Sequence, residues 1–213
     1  MEIRLEKLIP LPMVELTHSE TSIWEAENFT FKQGKSYLVE AASGKGKTSL
    51  LTIMYGLRDD YKGMLQINEK DARSIRQKEW TQLRKQHISF IFQGLELFDD
   101  LTAMENILLK NKIANFKTKD EILNLAEKLD VAGSMCKKSK FLSFGQQQRI
   151  AIIRALCQPF VFLFADECFS HIDRSNSNNA FELLKEECSS QGAGLILTSL
   201  GNSTYKFDEY VEL

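Results

Sequence analysis

Residues 36–50 read SYLVEAASGKGKTSL. A mostly apolar run, Ser36–Ala41, patterns as a strand, and a helix is expected from Lys47 to Gly56. Between them, Ser43-Gly44-Lys45-Gly46-Lys47-Thr48 carries two glycines that let the backbone curl and turn its N–H groups inward. Those donors, with the positive end of the following helix, form a nest for polyphosphate. Lys47 is placed to reach the β- and γ-phosphates, the Thr48 hydroxyl to hold Mg²⁺, and Ser49 extends the nucleotide-binding run. The pattern is G-x-x-x-x-G-K-[ST] with Ala41 at the first glycine. Alanine there costs little if its φ is negative, and roughly 1 kcal/mol or more if it is positive.

The chain has 213 residues, 43% of them hydrophobic and 26% charged, enough for one substantial core. A net charge of −2 gives no basic surface for nucleic acid. Cys136, Cys157, Cys168 and Cys188 show no C-x-x-C spacing, which argues against a metal cluster or disulfide framework and fits a reducing cytosol. The first residues, MEIRLEKLIPLPMVEL, lack the apolar segment of a signal peptide, and no apolar run approaches the ~20 residues that cross a bilayer. Any attachment to a membrane would then run through another subunit.

Strand-like runs at Met64–Asn68, Ile88–Phe92, Phe160–Ala165 and Leu195–Ser199 alternate with helical patterns. Helices are expected at Ala103–Lys110, Lys119–Val131, Gln146–Cys157 and Asp173–Cys188, so that Gly94–Gln158 reads as almost wholly helical. The expectation is an α/β core with a helical insertion. FVFLFA, residues 160–165, is apolar throughout, as befits a strand covered on both faces. It ends in Asp166-Glu167. A carboxylate at the end of a buried strand can hold Mg²⁺, and its neighbour, pointing differently, can act as general base toward an attacking water. Ligands collect at these strand ends in open α/β sheets.

The helical stretch contains Leu142-Ser143-Phe144-Gly145-Gln146-Gln147-Gln148-Arg149. This closely resembles the LSGGQ signature of the ATP-binding-cassette (ABC) family, the motor subunits of ABC transporters, and the resemblance extends over nearly the whole chain. It implies a P-loop NTPase cassette: a RecA-like core with an antiparallel β edge and a helical subdomain. Residues 1–93 and 159–213 would form the core and residues 94–158 the helical subdomain of a single nucleotide-binding domain. By position, Ala41–Thr48 matches the Walker A loop and Gln93 the Q-loop glutamine, which also belongs to the metal set with Thr48 and Asp166. Asp166 matches Walker B, Glu167 the catalytic glutamate, and Ser170-His171-Ile172-Asp173 resembles the D-loop. Ser143, Gly145 and Gln146 would act in trans, on ATP held by a second cassette in a homo- or heterodimer.

A finer resemblance is to the short cassettes of lipoprotein release, macrolide export and cell division. It rests on Gly63–Asn68, Arg84 to Gln93, and Leu101-Thr102-Ala103-Met104-Glu105-Asn106. It implies a separate integral membrane permease that would dock near Gly94–Thr102, with Leu95, Leu97 and Phe98 as candidate contacts, and a place on the inner face of the cell membrane. Besides Ala41, three positions depart from the family pattern. Phe144 stands at the first signature glycine, and no aromatic residue lies in Pro10–Thr17 to stack on adenine, leaving Pro12 or Met13. Ser199 follows Leu195-Ile196-Leu197-Thr198 where the family places its switch histidine. Serine is too short to reach the γ-phosphate directly and cannot carry charge, so slow hydrolysis is expected. The alternative reading is a regulatory cassette that binds ATP and hardly hydrolyses it, as the degenerate half of a heterodimer.

Overall fold

The computed structural model describes residues 1–15, 22–201 and 204–213. The N-terminal part contains β1 (Glu2–Pro10), β2 (Phe29–Lys32), β3 (Ser36–Glu40), α1 (Lys47–Met54), β4 (Tyr61–Ile67) and β5 (Lys70–Asp71). Then follow α2 (Gln77–Gln86), β6 (Ile88–Ile91), α3 (Ala103–Ala114), α4 (Lys119–Lys128) and α5 (Phe144–Leu156). The chain closes with β7 (Phe162–Asp166), α6 (Arg174–Ser190), β8 (Gly194–Ser199) and β9 (Glu209–Glu212).

Five strands form a parallel sheet in the order β6-β7-β8-β3-β9. Because side chains alternate along a strand, each central strand feeds two cores. Leu38, Leu163, Ala165, Leu195 and Leu197 pack with residues of α3 to α6. Their neighbours Tyr37, Val39, Phe162, Phe164 and Ile196 pack on the other side with α1, Trp80 of α2, and strands β1, β2 and β4. Double coverage explains why β7 is apolar at four positions and buried at all five. The antiparallel strands form a sheet of their own, in the order β2-β1-β4-β5.

Local chemistry sets the starts of the helical stretch. Thr102 with Glu105, Thr118 with Glu121, and Ser143 with Gln146 each form a reciprocal capping box at the start of α3, α4 and α5. Asp173 caps α6, accepting from the N–H groups of Ser175 and Asn176. The expected strands and helices are present with ends shifted by a few residues, where capping rather than hydrophobic pattern decides.

Among the elements not announced by apolar periodicity are β1 and α2. Strand β1 buries Ile3, Leu5 and Leu8, but a register shift between Glu6 and Ile9 interrupts its alternation. Helix α2, QKEWTQLRKQ, buries only Trp80, so it lacks an apolar stripe. At the junction of α2, α3 and α5 lie Arg84, Lys110 and Arg154. Burial first, and then these two arginines, lower the Lys110 pKa from 10.5 to about 8. Below pH 8 the folded protein carries this disfavoured charge. Between about pH 8 and 10.5 the unfolded chain holds a proton that the folded chain has lost, so stability rises with pH through that window. Lys110→Met is expected to melt at a higher temperature than the parent at pH 7, and the gap to close as pH passes from 8 toward 10.5. Thermal melts across that range check it; a parallel pH dependence in both proteins would refute it.

Candidate nucleotide site

Strand register brings four segments together at one edge of the parallel sheet. Asp166 pairs with Thr198 across β7 and β8, Glu40 pairs with Ser199 across β3 and β8, and Ile91 pairs with Ala165 across β6 and β7. The loop after β3, Gln93 after β6, Glu167 after β7 and the end of β8 therefore share the carboxyl end of the sheet.

Within the loop, Ala41 does not adopt a positive φ, so the alanine fits where the pattern has glycine. Gly46 is different. It caps α1 with φ 95° and ψ 10°, and a Cβ there would lie 2.4 Å from Met13 Sδ. Lys47 is buried, and its ammonium donates to the carbonyls of Ala41 (2.6 Å) and Ala42 (3.0 Å). It also pairs with Glu167 Oε1 at 3.2 Å. Thr48 Oγ1 donates to Asp166 Oδ2 at 2.7 Å and lies 3.4 Å from Gln93 Oε1.

Asp166 is buried, and burial pushes its pKa above the ordinary carboxylate value, against the hydrogen bonds from Thr48 and Thr198. Glu167 occupies the left-handed region at φ 44°, a strained conformation for a non-glycine residue. Its side chain meets Lys47 and Gln93, whose Nε2 donates to Glu167 Oε2 at 3.0 Å.

Ser43, Gly44, Gly46, Lys47, Thr48 and Ser49 line one cavity with Gln93 and Glu167, and Pro12 and Met13 form part of its wall. Of Pro10–Thr17, residues 16 and 17 lie outside the described residues, as does His18. Trp24 is buried with its ring close behind Gly46, and Phe29 packs against Phe31 and Tyr37. Lys45 lines a separate cleft beside Leu200 and Tyr210. Ser199, at the end of β8, accepts from the Gly201 N–H and lines a second cavity with Glu167.

The signature residues do not line the phosphate-loop cavity. Ser143 is exposed at the start of α5, its hydroxyl accepting from the Gln146 N–H while Gln146 Oε1 accepts from the Ser143 N–H. Phe144 packs its ring on His171, with centroids 4.5 Å apart, and remains 45% exposed. A Cβ at Gly145 would lie 2.9 Å from the His171 carbonyl oxygen, so any larger residue there would force a shift.

Three contributors escape sequence reasoning. Thr198 Oγ1 donates to Asp166 Oδ1 (2.7 Å) and accepts from the Glu167 N–H (3.0 Å), locking the carboxylate pair to β8. Its only sequence signal is its place before Ser199. Gln148, buried on α5, accepts from the His171 N–H at 3.3 Å and donates to the Glu167 carbonyl at 3.5 Å. It links the helix bearing Ser143 to the segment bearing Glu167. Arg58, beyond the end of α1, donates to Ser49 in the first turn of that helix and lines the phosphate-loop cavity.

Comparison with known proteins places the chain in a family. The family described as "ABC transporter" matches residues 25–170. The lipoprotein-releasing system ATP-binding protein LolD of Bacteroides fragilis (strain YCH46) is 30% identical over 83% of this chain and 83% of its own length. The macrolide export ATP-binding/permease protein MacB of Shewanella sp. (strain W3-18-1) is 32% identical over 87% of this chain, which covers 29% of that longer protein. Among solved structures, the dimeric ATP-binding cassette MJ0796, in a post-hydrolysis state bound to ADP and Pi, superposes with a TM-score of 0.74 at 25% identity, covering 93% of this chain and 88% of that one. The chain belongs to the ABC transporter family, as an ATP-binding cassette and an ATPase of the kind that powers those transporters.

Proposed function

We propose that this cassette hydrolyses ATP slowly, at a site completed by a second cassette, and drives a separate membrane permease. One observation carries the reading. Lys47, Thr48, Gln93 and Glu167 share a cavity to which Asp166 is bonded, whereas Ser143, Gly145 and Gln146 lie outside it, at an accessible helix start. A helix N-terminus with serine and glycine donors is itself an anion site. Placed against a second cassette, it would cover that cassette's γ-phosphate. The helical residues 94–158 form a subdomain of one nucleotide-binding domain, with residues 1–93 and 159–213 as its core.

The donor set fits Mg²⁺. Thr48 Oγ1, Gln93 Oε1 and Asp166 Oδ2 converge, and the ion favours oxygen ligands with few protein carboxylates. When bound, it would offset phosphate charge. Glu167 takes a proton from the water that attacks the γ-phosphorus as the bond to the ADP oxygen breaks, and Gln93 Nε2 holds that carboxylate in place. Ser199 offers a hydroxyl where an imidazole would reach the phosphate, which limits the rate.

Among the described residues no helix is long and apolar enough to cross a membrane, consistent with attachment through a permease. After Gln93, Leu95 is buried and Leu97 packs on the core, leaving Phe98, 60% exposed, as the apolar residue free to meet a docking helix. Phosphate release by the purified protein, alone and reconstituted with its membrane subunit, tests the proposal. Low turnover alone with clear stimulation in the complex is expected. Equal inactivity of the parent and Glu167→Gln in both settings would instead establish the regulatory reading, which Ser199 favours.

A further inference from the structure

Arg58 lies beyond the C-terminal end of α1, outside every motif of the nucleotide site, yet lines its cavity. Asp60 holds the guanidinium in a fork, accepting from Nε at 2.8 Å and from Nη2 at 2.6 Å. Nη1 donates to Ser49 Oγ at 2.8 Å. Such a two-point clamp fixes the plane of the guanidinium. Of its five N–H groups, those three bonds leave one on each terminal nitrogen unengaged.

The helix decides which part of a nucleotide these groups meet. Thr48 bonds to Asp166 and lies close to Gln93, the end of the site where hydrolysis occurs. Ser49 is the next residue, about 100° further round α1, and on that side it meets Arg58. Pro12 and Met13 line the same cavity. Ser49 accepts from Arg58 and so keeps its own hydroxyl proton to donate.

We propose that Arg58, oriented by Asp60, binds the α-phosphate of ATP together with Ser49, supplying at the inner phosphate part of the affinity that an adenine-stacking aromatic would otherwise provide. The contact rests on ATP lying along the loop, and it is a binding contact made away from the bond that breaks. Arg58 thereby joins Lys47 as a second cation on the polyphosphate.

The test is calorimetric titration of the full chain with MgADP, MgATP and inorganic tripolyphosphate, using Arg58→Met/Asp60→Asn so that no unpaired carboxylate remains. One charge-assisted contact predicts roughly tenfold weaker binding of all three ligands and a shallower salt dependence. Arg58→Lys, which returns the charge without the fork, is expected to recover part of the loss. Unchanged ADP affinity would overturn the proposal. So would a loss confined to the nucleotides with tripolyphosphate unaffected, which would place the contact on ribose or base. No recovery in Arg58→Lys, or weaker binding that merely follows a lowered melting temperature, would reduce Arg58 to a structural role. Failure of the parent protein to bind any of the three ligands would overturn nucleotide binding itself.

Discussion

Glu167→Gln is expected to lower ATP turnover by about 10²-fold or more while leaving ATP binding intact, since a positioned general base contributes about 10²–10⁴-fold. The substitution is nearly isosteric. An amide oxygen can still accept from Gln93 Nε2, and the Glu167 N–H bond to Thr198 is made by the backbone. What disappears is the charge that would take a proton from water and that pairs with Lys47 at 3.2 Å. In the parent, a phosphate must compete with Glu167 and with the carbonyls of Ala41 and Ala42 for the Lys47 ammonium. Removing one competitor should make ATP binding equal or tighter. Phosphate release and equilibrium binding, measured on the same preparation, separate the two effects. Turnover within threefold of the parent would show that another group is the base.

Ser199→His is expected to act in the opposite direction, raising turnover about tenfold or more, short of the roughly 10²–10⁴-fold that a fully positioned acid–base group contributes. Ser199 ends β8 one residue beyond Thr198, which is already bonded to Asp166 and to the Glu167 backbone, so the backbone that would present an imidazole is well anchored. Its side chain opens on a cavity that also receives Glu167, and its hydroxyl engages the nearby Gly201 N–H. An imidazole there adds reach and a titratable group. The rate profile should therefore gain a limb near pH 6.5, the ordinary histidine range. Unchanged turnover with an unchanged pH profile would show that the missing histidine does not limit this cassette.

Much of the site was legible because its chemistry is local. The loop needs glycines beside Lys47 and Thr48, and β7 needs an apolar run before Asp166-Glu167, so neighbouring residues carry each signal. The capping boxes are equally local, each joining residues three apart in sequence. What stayed hidden depends on distant partners. Thr198 matters through Asp166, 32 residues away, and Gln148 through His171, 23 residues away. Helix α2 was hidden for a different reason: an almost wholly polar surface helix leaves no periodic trace.

The sequence alone determined which groups are available: a glycine-bearing loop before Lys47 and Thr48, a carboxylate pair ending an apolar strand, and a serine-capped helix start at Ser143. Only the tertiary structure decided which of these meet. Thr48 touches Asp166 across 118 residues because β3, β8 and β7 lie side by side in parallel register, while Ser143 on α5 lies outside that cavity. Tertiary packing also resolved Ala41, whose φ is not positive, and brought Arg58 to the cavity. The physical reason is that bond-forming groups are encoded one residue at a time, whereas their convergence follows from burying both faces of the sheet.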